Sequence, residues 1–177
     1  MSILKIARMG NPVLRAKARQ LDPAEIRQPA FQKLIDDMIE TMNEYRGIGL
    51  AAPQVHEQVR LVVVGLQHDD DDDDESQTKI VPLINPEVTP VGSDIVEGWE
   101  GCLSVPEVRG RVPRAAAIRV QALDRRGKRI EIALEGFPAR VTQHETDHLD
   151  GILFIDRMRS LDSLTYLDEY ARFWAKD

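Results

Sequence analysis

The segment His144-Glu145-Thr146-Asp147-His148 limits what this chain can fold into more than any other. Two imidazoles four residues apart reach one point in space when the backbone between them is an α-helix, where such positions stack one turn above each other. On that helix both can approach one divalent cation while Glu145 faces a water on it. The bland alternative is a polar helix face with two solvated histidines. Two histidines do not complete a catalytic centre, which usually has three protein ligands and an open position.

The remaining pattern supplies the setting. Leu34, Ile35, Met38, Ile39 and Met42 recur at three and four residue steps, which predicts an amphipathic helix opened by Pro29 and closed by Gly47. Residues 60–66 and 79–84 are β-branched runs that read as strands. Residues 117–123 and 129–134 alternate on either side of Asp124-Arg125-Arg126-Gly127 and predict a β-hairpin. Pro138 opens a second helix, ended by Gly151, with Val141, His144, His148 and Leu149 on one face. A last amphipathic stretch, 162–174, is expected to pack Leu164, Leu167 and Tyr170 on the body. The fold class is therefore α+β: short, mainly antiparallel strands around the H-E-x-x-H helix, with an N-terminal amphipathic helix and a C-terminal helix. Residues 1–177 suit a single domain.

Charge excludes some functions. The net charge of −7 comes from residues 69–75, six aspartates and a glutamate; without them 23 acidic residues face 23 basic ones. That run reads as a solvated loop insertion, because adjacent like charges repel and offer nothing to bury. A balanced body gives no electrostatic case for direct nucleic-acid binding. With no apolar leader and no long apolar window, no membrane association is expected and the cytoplasm is the default location. The single cysteine, Cys102, rules out an intramolecular disulfide.

The third ligand is open on the residues alone. Phe154 stands where a metzincin needs a further histidine, so that class is excluded. Glu169, the only glutamate downstream of the motif, would make a small zinc peptidase. Cys102, in Glu100-Gly101-Cys102-Leu103-Ser104, is a good ligand for zinc or ferrous iron as a thiolate, or else a small buried hydrophobe. A non-catalytic binding module with a structural metal is a further alternative, although His56 and His68 lack ligand spacing to the helix pair. A third segment, Gly47-Ile48-Gly49-Leu50-Ala51-Ala52-Pro53-Gln54, is by itself a helix end and a tight apolar turn.

Together and in this order, GIGLAAPQ, EGCLS and HETDHLDG resemble the peptide deformylase family over about residues 4–158. The resemblance implies a hydrolase that removes the formyl group from the N-terminal formylmethionine of newly made polypeptides, releasing formate. It implies one divalent metal held by Cys102, His144 and His148, with Fe2+ in the cell and Zn2+, Ni2+ or Co2+ possible as isolated. Glu145 would be the general acid/base beside a metal-bound water that attacks the formyl carbon. The Gln54 side chain and the Leu103 backbone N–H would hold the reacting oxygen. Ile48, Gly49 and Arg109 would line the substrate cleft, with Ile48 and the surroundings of Val141 taking the methionine. Supporting roles are expected of Asp147, toward an imidazole or nearby backbone, and of Glu100, paired with Arg114. Trp99 reads as either a border of that pocket or a core aromatic.

Two departures stand out. Thr146 fills a slot that is usually apolar in the family. The C-terminal tail sets Asp162, Asp168, Glu169 and Asp177 against only Arg172 and Lys176. Ribosome contact through a basic terminal helix is thus not expected, and any such contact should be transient.

Overall fold

The computed structural model describes residues 2–66 and 79–175, so the acidic insertion at 69–75 lies outside the described residues. The first helices are α1 (Pro23–Ile26) and α2 (Pro29–Glu44), and the first strands are β1 (Gly49–Ala51), β2 (Leu61–Leu66) and β3 (Lys79–Pro90). Next come β4 (Ile95–Cys102), β5 (Val105–Ala115), β6 (Ala117–Leu123) and β7 (Arg129–Glu135). The chain closes with α3 (Gly136–Leu149), α4 (Phe154–Arg157), β8 (Thr165–Tyr166) and α5 (Leu167–Phe173). One antiparallel sheet runs β1-β2-β3-β6-β7 and a second runs β4-β5-β8. This is the α+β class that the sequence implies.

β2 explains the layering. Its run Leu61-Val62-Val63-Val64 is wholly buried, as expected for a strand covered on both faces. Leu61 and Val63 join Phe31, Ile35, Met38 and Met42 of α2 in one core, whereas Val62 and Val64 join Ala139 and Leu149 of α3 in another. A third core, with Leu14, Val105, Val112, Leu153 and Phe154, lies beneath the second sheet. α3 therefore runs through the middle of the molecule, against β1, β2, β5 and β7.

Several expectations need correction. The first long helix ends as predicted, but Arg46 takes the left-handed conformation (φ 53°), while the Gly47 N–H closes on the Met42 carbonyl at 2.8 Å. β3 runs past residue 84 to Pro90 through a bulge between Ile84 and Glu87, where Asn85 (φ 50°) exchanges two hydrogen bonds with the Leu21 backbone. α3 has no single buried face over its second half: residues 144 to 149 are all buried. The tail is not one helix. Its Thr165 and Tyr166 pair with Arg109 and Val108, Leu164 and Leu167 stay exposed, and Tyr170 packs edge-on to Trp99 at 5.0 Å with Trp174 beside the same ring at 5.7 Å.

Candidate active site

Three elements meet at one cleft of about 440 Å³. α3 brings His144, Glu145 and His148; the turn between β4 and β5 brings Cys102, Leu103 and Ser104; the turn after β1 brings Gln54. The β4–β5 hairpin was not legible as strands because Gly98, Gly101, Pro106, Gly110 and Pro113 interrupt the pattern. Those glycines make room: a Cβ at Gly98 would lie 2.9 Å from the Arg140 guanidinium, and one at Gly110 would lie 2.6 Å from the Met158 sulfur.

Ligand atoms of Cys102, His144 and His148 all fall within 4.8 Å of one another, with Cys102 Sγ 3.3 Å from His148 Nε2. Thiolate sulfur and imidazole nitrogen suit a borderline or soft divalent metal. Burial opposes ionisation of Cys102, but the charges and hydrogen bonds of His148 and His144 outweigh it and hold the thiol well below its usual range. Glu145 lies beside this trio with Oε2 buried and without a partner among the described residues. Burial raises its pKa to about 7, against the opposing charges of His144 and His148. Such a carboxyl can both take and return a proton near neutral pH. The donor set and this orphaned oxygen fit a metal with an open position.

Gln54 is only 2% exposed and is held in one orientation. Its Oε1 accepts from the Ala51 N–H at 2.8 Å, while Nε2 donates to Ser104 Oγ at 3.2 Å and faces Cys102 Sγ at 3.4 Å. The Leu103 N–H donates to no acceptor among the described residues. Gly49 abuts the acid: a Cβ there would sit 2.5 Å from Glu145 Oε1. Arg109 lies across Gly101, next to Cys102, and Ile48 is exposed on the cleft wall.

Buried ion pairs support the trio. Glu100 accepts a two-pronged contact from Arg114 at 3.0 Å, another from Arg140 at 2.8 Å, and lies 2.9 Å from His144 Nδ1. Burial pushes its carboxyl up, but hydrogen bonds from His144 and Arg114 more than reverse this and bring it to about 2. The Glu100–Arg114 pair is thus present. Asp147 does not reach an imidazole; its carboxylate pairs with Arg114 and Arg157, the latter at 2.7 Å. Arg140 was missed, although its position one turn before His144 on α3 was a usable signal. Arg157 had no such signal, because the fold alone brings it to Asp147. Glu169 is exposed on α5 and is not part of the cluster, and Trp99 lines the cleft. Thr146 is buried, with its hydroxyl bonded back to the Thr142 carbonyl at 2.5 Å, which satisfies a polar atom in an apolar slot.

A model of the polypeptide deformylase family matches residues 3–163. The chain belongs to this family. It is 43% identical over 176 residues to peptide deformylase 2 of Nostoc sp., covering 99% of this chain and 97% of that one. The peptide deformylase of Halothermothrix orenii is 48% identical over 159 residues, 89% and 95% of the two chains. A class I type b peptide deformylase from Acinetobacter baumannii, solved with Met-Ala-Ser bound, superposes with a TM-score of 0.81 at 39% identity, over 89% of this chain and 100% of that one. The same enzyme solved with actinonin gives 0.79 at 38% identity, over 89% and 99%. Deformylases are metal-dependent hydrolases, and this chain is one that removes the N-formyl group from nascent polypeptides.

Proposed function

We propose that Cys102, His144 and His148 hold one divalent cation, Fe2+ in the cell, and that the substrates are polypeptides beginning with formylmethionine. Such an ion supplies Lewis acidity, lowering the pKa of a coordinated water and polarising a carbonyl oxygen. Glu145 accepts the proton released as the formyl carbon is attacked, and delivers it to the methionine nitrogen as the C–N bond breaks. Formate and a free amino terminus result. The Leu103 N–H, and Gln54 Nε2 on exchanging one of its present partners, donate to the formyl oxygen as negative charge builds there. Glu100 orients His144 through Nδ1 and leaves its other nitrogen for the ion. Ile48 and Val141 take the methionine side chain, Gly49 leaves room for the substrate backbone beside Glu145, and Arg109 lines the path of the following residues.

The observation that carries this reading is the unpartnered Glu145 Oε2, buried beside a sulfur and two imidazoles within 4.8 Å of one another. We place the enzyme in the cytoplasm; no helix among the described residues is long and apolar enough to cross a membrane. Its ribosome contact is read as transient and not made through α5, which sets Asp168 and Glu169 against Arg172. The test is formate release from formyl-Met-Ala-Ser by protein purified without oxygen and loaded with ferrous iron. Rapid, metal-dependent release is expected; none at full occupancy would overturn the reading.

A further inference from the structure

The mouth of the cleft carries an imbalance of charge. Arg8, Arg46 and Arg109 line it, and none makes an ion pair among the described residues. The other charged groups of the cleft are accounted for. Glu100 is neutralised by Arg114 and Arg140, Glu145 lies buried at the centre, and Glu107 is the one exposed carboxylate lining the rim among the described residues. The fold sets where each arginine stands. Arg8 sits between two clamps, the Ala7 N–H on the Gln54 carbonyl and the Met9 N–H on the Ser104 carbonyl, both 2.7 Å. Arg109 is seated over Gly101. Arg46 follows the end of α2, two residues before Ile48.

Backbone conformation sets where two of these charges stand. Arg46 (φ 53°) and Glu107 (φ 66°) both occupy the left-handed region, where glycine would be the unstrained choice. At Arg46 this conformation closes α2, with the Arg46 N–H donating to the Asn43 carbonyl at 3.0 Å and the Gly47 N–H to the Met42 carbonyl at 2.8 Å. At both residues it holds a charged side chain at the cleft mouth.

We infer that this mouth selects among formylmethionyl chains by charge, favouring acidic residues in the two positions after the methionine and disfavouring basic ones. The inference rests on the deformylation reading and extends it to the substrate class. A single exposed ion pair is worth up to about fivefold in an equilibrium constant, so three guanidiniums against one carboxylate should separate acidic from basic chains by roughly tenfold. Screening weakens such contacts beyond about 10 Å at 0.1 M salt, so the effect should shrink as salt is added.

The test compares kcat/KM for formyl-Met-Glu-Glu, formyl-Met-Gln-Gln and formyl-Met-Lys-Lys amides with the iron-loaded enzyme at low ionic strength. Amides remove the terminal carboxylate as a confounding charge. The expected order is Glu, Gln, Lys, carried mainly by KM and compressed in high salt. Arg46→Glu should reverse the order. Arg46→Gly, which suits the backbone at that position, should narrow the spread while thermal stability holds or rises. Glu107→Gly should widen it. Arg119→Glu, the same charge change on β6 away from the cleft, should leave the ratios alone. Equal rates for the acidic and basic peptides, or an Arg46→Gly spread like that of the wild type, would overturn the inference. No turnover of any of the three by metal-loaded protein would instead remove the deformylation reading, and this inference with it.

Discussion

At the scale of single residues, environment rather than identity separates the two glutamates of the site. Glu100 is surrounded by two guanidiniums and an imidazole and stays ionised, whereas Glu145 has one oxygen buried without a partner and is pushed up to about 7. One is fixed as a charge and the other is free to exchange a proton. Glu145→Gln should therefore retain metal, measured by elemental analysis, and lose at least ~10²-fold in turnover, the low end for general acid–base catalysis. Near-normal turnover would contradict the role. Glu100→Ala should act differently. It strips the partner from His144 Nδ1 and leaves the buried Arg114 and the half-buried Arg140 with fewer partners, so metal affinity should fall about 10- to 100-fold in a chelator competition. The motif residues were readable because their spacing has chemical meaning. Asp147 was misjudged because its partners, Arg114 and Arg157, come from β5 and α4, and no local spacing links them.

At the scale of elements, the H-E-x-x-H helix behaves as the axis of the molecule. A surface helix would show a repeating apolar face, but α3 buries six residues in succession, polar and apolar alike. Thr142, His144, Thr146 and Asp147 are held by hydrogen bonds and ion pairs and Leu149 by the sheet, while Glu145 Oε2 is left open beside the proposed metal ligands. Leu149, fully buried against the sheet core, should cost ~2–5 kcal/mol when replaced by alanine, measured by denaturant unfolding. α2, α3 and the β6–β7 hairpin were legible from periodicity and turn chemistry, whereas the one-turn helices α1 and α4 are too short to show a period. β4 and β5 were not, since Gly98 and Gly110, which admit Arg140 and Met158, together with Pro106 and Pro113 break the alternation on which strand recognition depends. The tail was misread for a related reason. Leu164 and Leu167 have helical spacing, yet the pairing of Thr165 and Tyr166 with β5 overrides it.

At the scale of the whole molecule, acid should loosen the contact between the N-terminal segment and the region after α3. Arg15 pairs with Asp156, which also accepts from the Leu153 N–H at 2.7 Å. Burial raises the Asp156 pKa, but these two contacts more than offset it and set it below the ordinary value. A carboxyl depressed in the folded state contributes stability that is complete above the unfolded pKa of about 3.9 and is lost as pH falls through the folded value. The melting temperature of Asp156→Asn should lie below that of the wild type near neutral pH, and the two curves should converge in acid. A constant gap at every pH would show that the ion pair contributes nothing. The sequence could not reveal this contact, because its partners are 141 residues apart and meet only in the finished fold.

The distance along the chain between Cys102 and His148 has a mechanical meaning. These residues are 46 positions apart and stand on different layers, one at the tip of a hairpin and the other on the central helix. An ion held by both would act as a reversible crosslink, closing a long loop in the way a disulfide does and removing conformations from the opened state. Chelation would then be felt first as breathing of the hairpin. Amide hydrogens of β4 and β5 should exchange faster with deuterium when the metal is withdrawn, while those of β2, enclosed on both faces, keep their protection.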